Sequence, residues 1–254
     1  MEGKSSLTIV NSHLKFGKVS LTNPINNVYL HIAAEIDHSP FPFFLTSSNK
    51  KKKLIKQCKQ WCFQLEKENK ALSARVFKAT LIPPGKGKFI EKRKDKIYNA
   101  KFDFAILIEV KTAAEIIEIQ ESEAYKKIEL AIKSASAFTQ TITATNIKRI
   151  NRVDDHKQGV FLFNYFFADS VDQNLEVWEY TAGWFQQETG LDNSAVLLPA
   201  CHIKPGYSII NHCRWNKLSD VLPSLIFKRS FHSYVLANFF ANNVAAMPVL
   251  YKMA

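Results

Sequence analysis

From Val160 to Phe167 the chain reads Val-Phe-Leu-Phe-Asn-Tyr-Phe-Phe, with hardly a polar side chain. A strand sends alternate side chains to opposite faces. Val160, Leu162, Asn164 and Phe166 therefore share one face and Phe161, Phe163, Tyr165 and Phe167 the other, and both must be covered. In a single βαββαβ unit the helices cover one sheet face and leave the other wet, so a second sheet has to pack on it.

The rest of the chain supplies that sheet. A strand is predicted over Val28 to Ile36, then a helix from about Lys50 to Leu72, with Leu54, Cys58, Trp61/Cys62, Leu65 and Leu72 forming one apolar stripe. Strands follow at Ala74 to Ile82 and Phe102 to Val110, then a helix capped by Thr112 over Ala113 to Ser134, and a strand over Thr139 to Ile150. The same order recurs with a strand at Val160 to Phe167, a helix at Asp172 to Glu188 capped by Gly190, and strands at Ala195 to Ala200 and Tyr207 to Trp215 around a Pro205-Gly206 turn. A helix at about Ser219 to Phe239 and a strand at Val244 to Met253 close it. The expected fold is α+β: tandem ferredoxin-like βαββαβ repeats, residues 1–155 and 156–254, whose sheets meet face to face as an internal pseudo-dimer with a barrel-like core. The two repeats share no sequence identity worth quoting, so only element order supports them.

The length of 254 residues suits two such units, and 46% hydrophobic with 22% charged residues suits packed cores. No run approaches the roughly 18 apolar residues of a membrane-crossing helix, and nothing near Met1 resembles a secretion signal, so a cytoplasmic location is expected. The Cys residues have no metal-ligand or Cys-x-x-Cys spacing, so no metal site is expected. The net charge of +11 is confined to one part: residues 1–156 carry 27 Lys and Arg against 16 Asp and Glu, and residues 157–254 carry 7 against 7. Basic runs at Lys50 to Lys53 and Lys86 to Lys96 lack the interleaved aromatics that stack bases. They read as a solvated face or as a docking face for an anionic partner, whether nucleic acid, acidic lipid surface or acidic protein.

The C-terminal stretch Phe161 to Phe167, the helix bearing Trp178 and Trp184, the strand Tyr207 to Trp215, and Met247-Pro-Val-Leu-Tyr251 together resemble the antibiotic biosynthesis monooxygenase family of the dimeric αβ barrel superfamily. The first 155 residues share its element order but none of these motifs. The resemblance implies a cofactor-independent monooxygenase of aromatic or polyketide-like small molecules, working as monomer or homodimer, with haem as an alternative ligand or substrate. The family's haem-degrading branch uses an Asn on the first strand and a Trp and a His on the second helix. Asn164 matches the Asn and His232 stands near the His, while Leu222, Ser224 and Leu225 occupy the region of the Trp.

Asn164 and His232 are accordingly the candidate catalytic pair. The Asn amide would hold a substrate oxyanion and the imidazole would take its proton. Phe166, Trp184 and Tyr234 are the candidate substrate-binding residues, each of which serves equally well as core. No Gly-rich phosphate loop, His-Glu-x-x-His or Gly-x-Ser-x-Gly motif occurs, which argues against nucleotide-dependent and hydrolytic enzymes. The alternatives to catalysis are a binding module for a hydrophobic ligand such as haem, or an interaction protein with a basic docking face.

Overall fold

A computed structural model of the chain describes residues 7–85, 89–90, 97–200 and 206–254. The first half comprises β1 (Val28–Glu35), α1 (Asn49–Lys67), β2 (Ser73–Leu81), β3 (Phe104–Val110), α2 (Ala113–Glu121), α3 (Glu123–Ala135) and β4 (Phe138–Arg149). The second comprises β5 (Val160–Ala168), α4 (Val171–Thr189), β6 (Ala195–Pro199), β7 (Ile209–Trp215), α5 (Leu218–Phe227), a π-helical turn (Phe231–Leu236), α6 (Ala237–Ala241) and β8 (Val244–Met253). All strands join in one closed barrel of order β1-β3-β2-β8-β5-β7-β6-β4. The halves thus face each other across a lumen, as expected, and are also stitched edge to edge, β2 to β8 and β4 to β6, so that the barrel has no open sheet edge.

Closure explains the two-faced strand. Phe161, Phe163 and Tyr165 of β5 point into the lumen with Phe77, Met247 and Tyr251, while Leu162 and Phe166 point outward under the helices of the second half. A third cluster lies between the first half's helices and the outer faces of β1 to β3.

The registers also fix how the halves correspond. Ile32 pairs with Ile106 on one side and Thr141 on the other, as Asn164 pairs with Asn211 and Pro248. In the same correspondence Ala33 stands for Tyr165, Ala144 for Tyr251 and Leu107 for His212. Large lumen rings from one half thus meet small side chains from the other. Two copies of one sequence cannot fill a shared lumen that way, which accounts for the lack of identity between halves.

Several boundaries move for local reasons. Helix α1 is capped by Ser48 Oγ, which accepts from Lys51 N–H at 3.1 Å, and stops at Lys67 short of Leu72. The helix expected over Ala113 to Ser134 breaks at Ser122, whose hydroxyl caps the start of α3 while its backbone is extended. The helix expected over Ser219 to Phe239 becomes α5, a π-helical turn and α6. Gly190 caps α4 with φ 65°, as its sequence position implied. Pro205, Cys201 and most of the Lys86 to Lys96 run lie outside the described residues.

The N-terminal segment, read as an extension of the first repeat, lies against the second half. Asn242 exchanges hydrogen bonds with the Thr8 backbone and Asn238 with that of Val10. Thr22 N–H then donates to Arg149 O at 3.0 Å. The first half is pinned from within by Asp103, which accepts from the backbone N–H groups of Ile36 and Asp37 and from buried Lys51 at 2.7 Å.

Candidate functional site

On the outer face of the second half, two adjoining cavities of about 20 Å³ each lie between the sheet and the helices. They share Leu162, Asn164, Phe185, Trp215 and Phe239. One extends toward Trp178 and Asn211, the other toward Leu225, Pro248 and the Pro83-Pro84-Gly85 segment. Among the described residues, neither is lined by any Asp, Glu, Lys, Arg or His. Each has room for about one water molecule.

Asn164 and Asn211 are the polar centre. They are cross-strand partners on β5 and β7, 7% and 6% exposed. Side chains directly opposite on antiparallel strands lie about 5 Å apart, so two carboxamides sit together on a wall that is otherwise mostly apolar. Asn211 Oδ1 accepts from Ser194 Oγ at 2.5 Å. Asn164 Oδ1 is buried without a hydrogen-bond partner. A buried carbonyl oxygen left unpaired costs roughly 1–3 kcal/mol, so the atom has capacity to accept from a water or a ligand. The equivalent positions in the first half are Ile32 and Ile106.

The remaining candidates are not all gathered here. Phe166 lines the cavity floor and meets Phe239 edge-on at 5.4 Å. Trp184 is fully buried behind the cavity, its Nε1–H donating to Ser230 Oγ at 2.9 Å. Tyr234 packs between Phe16 and Tyr180 and donates its O–H to Tyr180 O at 3.0 Å. Both are helix core and line neither cavity. His232 is exposed on the π-helical turn, its ring against Phe231 at 5.5 Å. The expected pairing of Asn164 with His232 across one pocket is therefore not made. Phe231, Tyr234, Val235 and Leu236 take the inward positions of that turn and leave His232 to solvent.

Sequence reading passed over Asn211. Its signal was a second carboxamide in an apolar strand, in the run Ile209-Ile-Asn-His-Cys213. His212, its neighbour, points into the lumen instead. Its Nδ1–H donates to Leu162 O at 3.1 Å, and burial lowers its pKa to about 4. The buried Cys213 thiol beside the cavity is held protonated, well above its ordinary pKa.

Haem fits poorly here. Among the described residues neither cavity presents an imidazole, the nearby thiol resists ionisation, and the volume is far below that of a macrocycle.

No protein-family profile and no curated protein sequence matches the chain. Among solved structures it is similar to an anthrone oxidase-like protein, with 10% identity, 90% of this chain and 91% of that one covered, and a TM-score of 0.58. It is also similar to a candidate monooxygenase from Fusobacterium nucleatum subsp. nucleatum, with 7% identity, 90% and 92% covered, and a TM-score of 0.54. At such identities the likeness concerns the fold. The chain has the fold of the dimeric αβ barrel proteins, here closed by one polypeptide.

Proposed function

We propose that the protein is a monooxygenase-type oxidoreductase that uses no nucleotide cofactor and takes a flat aromatic or polyketide-like molecule between the sheet and helices of its second half. The observation that carries this reading is the buried Asn164 carboxamide, its Oδ1 without a partner, beside Asn211 in an aromatic-lined cavity, at a position where the first half has two isoleucines. The shared fold of an anthrone oxidase-like protein agrees with it, as analogy.

The lining defines the chemistry. With no acid or base among the described residues of the wall, the substrate has to leave its proton with solvent water and bind as the anion, as a phenol or a ring CH₂ flanked by carbonyl and aryl groups can. Asn164 would hold the resulting anion through its amide N–H in a site of low dielectric, while its free Oδ1 accepts from a second hydroxyl of the same ring. Such an anion can reduce O₂ directly. The CH₂ carbon becomes C=O, one oxygen atom stays in the product, the other leaves as water, and the substrate supplies all four electrons. A ring enters only if side chains such as Phe185 and Phe239 rotate away, since each cavity of about 20 Å³ holds about one water molecule.

Oxygen uptake by the purified chain with a panel of anthrones and hydroxylated polycyclic aromatics tests the reading. Asn164→Ala should lower turnover by about 10²- to 10³-fold without a matching loss of stability. Saturable binding of the same compounds with no O₂ uptake would replace this reading with that of a binding module, which the lack of any acid or base among the described wall residues favours. Full activity in Asn164→Ala would remove the carboxamide from the mechanism.

A further inference from the structure

Between β1 and α1 the chain runs along the end of β2. Phe44 N–H donates to Thr80 O at 3.0 Å and Ile82 N–H donates to Pro42 O at 2.8 Å. Extended backbone alternates its side chains. Phe44 turns toward the core, while Phe43 and Leu45 face outward, 49% and 77% exposed, and Phe41 projects from the turn before them, 75% exposed. Three large apolar side chains on the outer side of a pinned segment are not a chance exposure of single residues.

The helix that follows is basic. Its exposed side chains include Lys50, Lys52, Lys53 and Lys56, and no Asp or Glu occurs between Asn49 and Leu65. Among the described residues no carboxylate forms an ion pair with any of these four. Two other lysines of α1 are occupied: Lys51 is buried on Asp103, and Lys59 donates to Ala254 O. His38 and Lys101 line the same depression as Phe41 and Phe43. Glu35 and Asp37 also lie there. Burial raises the pKa of Glu35 and so disfavours its charge, and Asp37 accepts from Ser48 N–H at 2.8 Å.

We propose that this face docks the protein on an anionic lipid surface, with Phe41, Phe43 and Leu45 entering the headgroup boundary and Lys50, Lys52, Lys53 and Lys56 meeting the lipid anions. An apolar wedge beside a basic helix is the combination that such a surface rewards, since neither element alone holds a protein on it firmly. A single-stranded nucleic acid would use the lysines and stack bases on Phe41 and Phe43, but it gives the aliphatic Leu45 no partner. A second copy docked on the same face would set lysines against lysines.

Co-sedimentation of the full chain with sucrose-loaded vesicles is the test, using pure phosphatidylcholine or the same lipid with about a third phosphatidylserine. Binding should need phosphatidylserine and weaken with salt. Phe41→Ser/Phe43→Ser/Leu45→Ser should lower partitioning by about tenfold or more with an unchanged melting temperature. Lys50→Gln/Lys52→Gln/Lys53→Gln/Lys56→Gln should remove the preference for phosphatidylserine. The proposal fails if wild type shows no such preference, or if the serine variant binds as well as wild type. Self-association in sedimentation velocity that the serine variant abolishes, without vesicle binding, would assign the face to a second copy. Retention of RNA that only the glutamine variant loses would assign the lysines to nucleic acid.

Discussion

The barrel encloses two imidazoles, those of His31 and His212. Both are buried in the lumen, and Phe163 stacks between them with ring centroids 4.7 and 4.3 Å away. His31 Nε2 shares a 2.9 Å hydrogen bond with the Tyr165 hydroxyl, and Tyr251 donates its O–H to Phe102 O at 2.9 Å. Burial is the main reason that their pKa values fall to about 3 for His31 and about 4 for His212, with the neighbouring His212 adding to the effect on His31. An unfolded chain protonates each imidazole near pH 6.5. Below that pH the unfolded state binds more protons than the folded one. The stability from keeping the rings neutral is therefore complete above about pH 6.5 and is lost as pH falls toward the folded values, by about 1.4 kcal/mol per pH unit for each ring. His212→Leu, which installs the residue that the first half carries as Leu107, should flatten that slope. Urea unfolding from about pH 7 down to pH 5 measures it. Equal slopes in variant and wild type would show that His212 is not held neutral.

At the scale of elements, α4 depends on a residue with no side chain. A Cβ built on Gly183 would lie 1.7 Å from the Gly17 carbonyl oxygen, so the N-terminal segment crosses the helix in direct contact. Gly183→Ala must displace that segment, and the Asn238 and Asn242 pairings with Val10 and Thr8 with it. A loss of about 1–3 kcal/mol is expected, the range for overpacking, together with faster proteolysis before residue 22. If cleavage stays slow and the melting temperature is unchanged, the segment is not held there. Gly183 was invisible in the sequence, because the helical pattern of α4 treats it as one more small residue. The break of the last helix was hidden for a related reason. Phe227, Phe231, Leu236 and Phe239 keep a helix-like apolar rhythm across a junction where the backbone changes from α to π.

At the scale of the whole molecule, neither half is complete. Cutting the chain before β5 would open the edges of β6 and β8, which pair with β4 and β2, and would bare the lumen face of Phe161, Phe163, Tyr165 and Tyr251. Residues 156–254 expressed alone should therefore dimerise or precipitate, because an exposed sheet edge and an apolar face both seek partners. A well-folded monomer in size-exclusion chromatography would contradict this. Residues 156–254 are a domain in element order, yet their core is completed by the other half and their helices are clasped by residues from the start of the chain.

The sequence by itself determined the strands and the helix α4, because alternation and helical spacing record burial residue by residue. The bounds of β8 read from Val244 to Met253, and the Gly190 cap of α4, came directly from such local signals. It also marked Asn164, since a lone carboxamide in an apolar run has to be satisfied somewhere. The tertiary structure alone decided that Asn211 stands beside it, that the first half has isoleucines in their place, and that His232 faces water. Those facts follow from cross-strand register and from a change of helical phase, and both are set by pairings between residues far apart in the chain.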